Sequence, residues 1–148
     1  MDLILWRHAE AQAGYPDSER ALTPEGRRQA DAMAAWLKSR LPAGCRVVAS
    51  PAARAQETAR ALAAGFATSV EVGTAATPDQ VLAAVGWPYG EETVVVVGHQ
   101  PTLGAVAALA LTGKPYPWSV SAGSIWWLSR PAHARETRLR AALTTDLL

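Results

Sequence analysis

Four valines in succession, Val94–Val97, follow Thr93 and run into Gly98-His99. A strand that is apolar at every position has no face to give to water. It belongs in the middle of a parallel sheet with helices over both sides. The rest of the chain must therefore supply further short strands beside it and amphipathic helices above and below.

Such segments are present. Leu3–Trp6 is a short apolar run. Leu22-Thr23-Pro24-Glu25-Gly26 offers a Thr N-cap with Pro at the first helical position. Ala30, Met33, Ala34, Leu37 and Leu41 then recur at helical spacing until Pro42 and Gly44 close the segment. Arg46–Ala49 predicts a second strand ended by Ser50-Pro51, and residues 52–64 an alanine-rich helix stopped by Gly65. Ser69–Val72 predicts a weaker strand, and Thr77-Pro78-Asp79 opens a short helix over Pro78–Val85. Pro101–Leu111 predicts another helix, and Ser124–Leu128 and Thr137–Leu143 two final strands at or near an edge. This alternation predicts an α/β fold with a mainly parallel sheet between two helical layers. A length of 148 residues suits a single domain over 1–148.

Composition narrows the function. The net charge is +1, and only two of the 14 basic residues are lysines, without any basic run. Nucleic acid and anionic membranes are therefore not expected partners. The lone cysteine, Cys45, excludes an internal disulfide and a cysteine-rich metal site. No apolar run approaches the 18 or so residues of a membrane span. Met1–Trp6 is too short for a signal-peptide core and is interrupted by Arg7, so the expected location is the cytoplasm. Gly-x-Ser-x-Gly and Gly-x-x-x-x-Gly-Lys are both absent.

In parallel α/β sheets, ligands bind beyond the carboxyl ends of the strands. Here those ends are rich in nitrogen. The first strand runs into Arg7-His8, the second into Ser50-Pro51 with Arg54 a turn into the next helix, and the valine strand into Gly98-His99. Two of the chain's three histidines stand at these ends, and the third, His133, is expected in a solvated loop. Two guanidinium forks fit phosphate oxygens bidentately. A helix opening after Gly98-His99 favours an anion at its first N–H groups. A neutral histidine is a competent nucleophile. His8, His99 and Glu10 could also hold zinc, but Arg7 and Arg54 would then set positive charge beside a dication. The expectation is phosphoryl chemistry without a metal or cofactor.

These segments resemble the histidine phosphatase superfamily, the phosphoglycerate-mutase-like fold. Arg7-His8-Ala9-Glu10 is similar to its Arg-His-Gly signature, and Leu22–Gly26 to its Leu-Thr-x-x-Gly helix entry. SPAARAQETA, residues 50–59, and VVVVGHQP, residues 94–101, are similar to two further elements in the family's order. Chain length and the RHAEA form resemble the SixA-type branch, which dephosphorylates phosphohistidine on signalling proteins. The resemblance implies a three-layer α/β/α sandwich with a mixed sheet of about six strands, one antiparallel. It also implies His8 as the phosphorylated nucleophile, with Arg7, Arg54 and His99 binding the phosphoryl oxygens.

Two departures stand out. Ala9 replaces the usual glycine, which requires ordinary backbone angles at that position. The glutamate general acid of larger relatives has no obvious counterpart in Glu71–Asp79, so Glu10 and Asp79 are the substitutes to examine. An alkoxide leaving group needs a proton in the transition state, whereas the imidazole of phosphohistidine departs far more easily. A missing acid therefore points to a phosphohistidine-bearing protein as partner. A small phosphorylated substrate, or a non-catalytic phosphate-binding adaptor, is the alternative. Trp126-Trp127 in a strand must point to opposite faces, which would leave one exposed for an interface. Trp6 is expected to pack within the sheet.

Overall fold

The computed structural model describes residues 1–148. Its strands are β1 (Asp2–Arg7), β2 (Arg46–Ala49), β3 (Ala67–Thr68), β4 (Thr93–Gly98), β5 (Ile125–Ser129) and β6 (Arg138–Leu143). Its helices are α1 (Pro24–Lys38), α2 (Ala53–Leu62), α3 (Pro78–Val85) and α4 (Thr102–Thr112). One mixed sheet of six strands runs in the order β3-β2-β4-β1-β5-β6. β3, β2, β4 and β1 are parallel, and β5 alone runs against its neighbours. The chain is thus a three-layer α/β/α sandwich around a mixed sheet of six strands.

The valine run explains the layering. β4 lies between β1 and β2, with Leu3 beside Val94 and Trp6 beside Val97. Val94 and Val96 join Leu3, Leu5, Val81, Leu103 and Val106 on one face, under α3 and α4. Val95 and Val97 join Ile4, Trp6, Met33, Leu37 and Ala55 on the other, under α1 and α2. All four valines are fully buried. Each then stabilises the fold by about 1.5–3 kcal/mol relative to an exposed side chain, so neither face can be surrendered to solvent.

Both predicted helix entries form as expected. Thr23 Oγ1 accepts from Gly26 N (2.9 Å) with Pro24 at the first position of α1. Thr77 and Gln80 make a reciprocal capping box at α3. Element boundaries shift by a few residues. The first helix ends at Lys38 rather than reaching Leu41, and the second at Leu62 rather than 64. The strand expected at Ser69–Val72 is a correction. The ladder is Ala67–Thr68, and Val70–Val72 forms a single 3-10 turn. Ser69 Oγ accepts from Glu71 N (3.1 Å), a local bond that replaces the ladder, and Val70 is left 76% exposed.

Trp126 and Trp127 do point to opposite faces, yet neither is left exposed. Trp127 packs edge-on to Trp36 with centroids 6.3 Å apart, and half-buried Trp126 lies 5.6 Å from Trp118. Trp6 is fully buried, its Nε1 donating to Gly123 O (3.0 Å). No helix is long and apolar enough to cross a membrane.

Candidate active site

Because β2, β4 and β1 are adjacent and parallel, their carboxyl ends meet at one edge. The ladder continues one residue past each strand: His8 N donates to Gly98 O (3.0 Å) and Ser50 N to Val97 O (3.0 Å). This sets His8, His99 and Ser50 side by side, and the first turn of α2 adds Arg54. The imidazoles of His8 and His99 lie 5.2 Å apart between centroids.

His8 is held in one tautomer. Its Nδ1 is 2.8 Å from Ala9 O, and a carbonyl can only accept, so Nδ1 carries the hydrogen. Nε2 is left with its lone pair, to which Arg54 Nε–H donates at 3.3 Å. Ala9 has no positive φ, as its lack of a glycine required. It is fully buried, and its N donates to Thr58 Oγ1 (3.0 Å), which in turn donates to Arg54 O (2.8 Å). Thr58 thereby ties the peptide after His8 to the helix that carries Arg54.

The other groups are braced from beneath. Arg7 Nη1 donates to Val120 O (2.9 Å), while its Nε is buried without a partner. His99 Nε2 lies 2.7 Å from Ser50 Oγ, and its Nδ1 has no protein partner. Ser50 Oγ also accepts from Ala52 N (3.2 Å), which ties it to the start of α2. The loop before β5 supplies the last support: Gly123 N donates to the carbonyls of both Arg7 (3.2 Å) and His8 (3.1 Å).

Burial is the main reason that the His8 pKa falls from 6.5 to about 4, with Arg54 and Arg7 acting in the same direction against the Ala9 hydrogen bond. Burial, then His8 and Arg54, bring His99 to about 4 as well. Two neutral imidazoles therefore sit among permanent cations, with N–H groups that await an acceptor. Such an arrangement can hold an anion with several oxygens and leave one imidazole lone pair free to attack it.

The proposed acids lie elsewhere. Glu10 is exposed, and its carboxylate accepts from Thr23 Oγ1 (2.8 Å) at the start of α1. Asp79 is exposed in the first turn of α3 and makes no side-chain hydrogen bond. The carboxylate of neither makes a hydrogen bond or ion pair with His8, Arg7, Arg54 or His99. His133 is exposed in its loop, as expected. The sequence did not disclose Asp17, whose Oδ2 lies 3.1 Å from Arg54 Nη2 and whose main-chain O accepts from Arg54 Nη1 (2.9 Å). It stands in a stretch without periodicity, so no strand or helix pattern marks it. Ser50 and Thr58 fell within the SPAARAQETA element, but only the fold shows what they hold. A concavity of about 630 Å³ lined by Val70, Ala75, Gln80 and neighbours includes none of the four groups.

Comparison with known proteins supplies a context for this geometry. Residues 3–75 match the description of the histidine phosphatase superfamily, branch 1. An uncharacterised protein of Mycobacterium leprae is 37% identical over 118 residues, 73% of this chain and 71% of that one. Among solved structures, the putative phosphohistidine phosphatase SixA from Nakamurella multipartitia is 32% identical, with a TM-score of 0.80 over 96% of this chain and 94% of that one. The protein histidine phosphatase SixA complexed with tungstate shares the fold at 22% identity, with a TM-score of 0.84 over 99% of each chain.

Proposed function

Because this chain belongs to the histidine phosphatase superfamily, we propose that it is a phosphatase that hydrolyses phosphohistidine on a signalling or phosphotransfer protein. The observation that carries the reading is the His8 ring, which turns an unprotonated Nε2 toward Arg54 and is hydrogen-bonded to no carboxylic acid. The Nakamurella relative bears the name of such an enzyme, which supports the same substrate class.

The mechanism follows from these groups. His8 Nε2 attacks phosphorus in line, forming a P–N bond as the substrate's P–N bond breaks. A substrate ring protonated on its other nitrogen leaves as neutral imidazole, so no enzyme acid is needed. Arg54, Arg7 and His99 hold the charge spread over the equatorial oxygens. Water then attacks the phosphorus of phosphorylated His8, releasing phosphate and restoring neutral His8. No metal takes part in these steps, and a cytoplasmic setting completes the proposal.

The test is release of phosphate from a phosphohistidine-bearing carrier domain in excess chelator, beside a panel of sugar, nucleotide and aryl phosphates. Faster turnover of esters would instead favour a small-molecule phosphatase. Absence of any acid-labile phosphoenzyme would leave only a phosphate-binding adaptor.

The His8 environment makes a second expectation. An NMR titration of the ring should give a midpoint near 4, far below the ordinary 6.5. The unfolded chain then binds more protons than the folded one between these values. Stability should therefore fall on acidification from about pH 6.5 toward 4. A midpoint at or above 6.5 would show that burial does not depress the His8 pKa.

A further inference from the structure

A guanidinium has two edges that can bind an anion with paired donors: the end-on edge, Nη1 with Nη2, and the side-on edge, Nε with Nη2. In Arg54 the end-on edge is occupied by a single residue. Nη1 donates to Asp17 O (2.9 Å) and Nη2 to Asp17 Oδ2 (3.1 Å). The side-on edge faces His8, with Nε 3.3 Å from His8 Nε2. Each contact uses one N–H, so the second Nη2 hydrogen, beside Nε–H, remains free toward the nucleophile.

Asp17 is itself cross-braced. Arg20 Nη1 donates to Asp17 Oδ1 (2.9 Å), and Arg20 Nε to Gln12 O (2.7 Å), closing the loop before α1. The Asp17 side chain is 59% exposed whereas that of Arg54 is only 6% exposed, so the carboxylate reaches a buried cation from the solvent side. Hydrogen bonds from Arg20 and then Arg54 hold its carboxyl below the ordinary range, so it stays ionised.

We propose that Asp17 is a positioning residue for phosphoryl transfer, gripping the end-on edge of Arg54 so that its side-on edge meets the phosphoryl group at His8. Asp17 does not compete with the phosphoryl group, because the two use different edges of the same guanidinium. A surface ion pair of ordinary kind would contribute little to stability. What Asp17 supplies is direction, and a shift of about 1 Å in a catalytic group can cost on the order of 100-fold in rate.

This inference rests on the phosphatase reading, and the experiment separates the two. Asp17→Ala and Asp17→Asn are compared with the parent and with Glu92→Gln, which breaks an exposed pair with Arg46 (2.9 Å) at the opposite end of the sheet. Binding of inorganic phosphate is measured by calorimetry, which needs no turnover, and kcat and KM are measured on the best substrate of the panel. Asp17→Ala should lower kcat/KM by about 10- to 100-fold, mostly in kcat, and weaken phosphate binding, with the melting temperature within a few degrees of the parent. Asp17→Asn, which keeps a side-chain oxygen for Arg54 Nη2, should recover part of the loss, and Glu92→Gln should match the parent. Parent-like phosphate binding and kcat in Asp17→Ala would overturn the inference while leaving the phosphatase intact. Firm phosphate binding lost on Asp17→Ala, but without turnover of any substrate by the parent, would sustain the aiming of Arg54 by Asp17 for anion binding and overturn both its part in phosphoryl transfer and the enzyme reading.

Discussion

Replacement of His8 by alanine is expected to lower phosphohistidine turnover by about 10⁴-fold or more and to abolish the phosphoenzyme. No neighbouring group can take over the attack. His99 is the other buried imidazole, but its Nε2 is engaged with Ser50 at 2.7 Å. Arg7 and Arg54 stay protonated and have no lone pair to offer. The variant should nevertheless still bind inorganic phosphate. Arg54 keeps its grip on Asp17, Arg7 its bond to Val120, and His99 its bond to Ser50, none of which passes through His8. The measurement is denaturing capture of labelled protein after brief mixing with a phosphorylated carrier, with the label tested for acid lability. Parent-like turnover in His8→Ala, or an unchanged yield of acid-labile label, would end the assignment of His8 as nucleophile.

Gly26→Ala should add a strongly damaging methyl beside the strand exit that carries His8. A Cβ there would lie 2.0 Å from Glu10 O and 2.9 Å from Glu10 C. Both atoms are backbone, so no side chain can rotate away. Gly26 sits in the first turn of α1, and Glu10 O also accepts from Thr23 N (3.0 Å), which clamps helix and strand exit together. Relief requires the start of α1 or the Ala9-Glu10 peptide to move by about an ångström. Overpacking of this kind costs about 3 kcal/mol, and a chain of this length then melts roughly 6–12 °C lower. The same displacement pulls on Ala9, whose carbonyl sets the His8 tautomer, so activity should fall in molecules that remain folded. Gly65→Ala, with nothing within 4 Å of the added atom, should change stability by less than about 0.5 kcal/mol. Equal melting temperatures for the two variants would show that α1 does not press on Glu10 as described.

The glycine of the Leu-Thr-x-x-Gly element thus has a steric reason, and it illustrates which features a sequence can disclose. Val94–Val97 specified a strand buried on both faces because the information lies in four adjacent side chains. Thr23-Pro24 and Thr77-Pro78 announced their helices because a cap bonds within three residues of itself. Parallel neighbours then had to present Arg7-His8, Arg54 and His99 at one edge, so the grouping followed from topology.

Other features required the packed chain. Glu10 was a reasonable acid by proximity in sequence, but the cap of α1 draws its carboxylate to Thr23. Ser69–Val72 had β-forming composition, yet Ser69 satisfied the backbone locally and the strand stopped at Thr68. Asp17 and Arg54 are 37 positions apart, and Ser50 and His99 are 49 apart. The sequence by itself determined the layered fold and the chemical kinds of group at the strand ends, because periodicity and capping act over a few residues. Only the tertiary structure decided how those groups are aimed, because the partners that orient Arg54, His99 and the His8 ring come from loops brought together by packing.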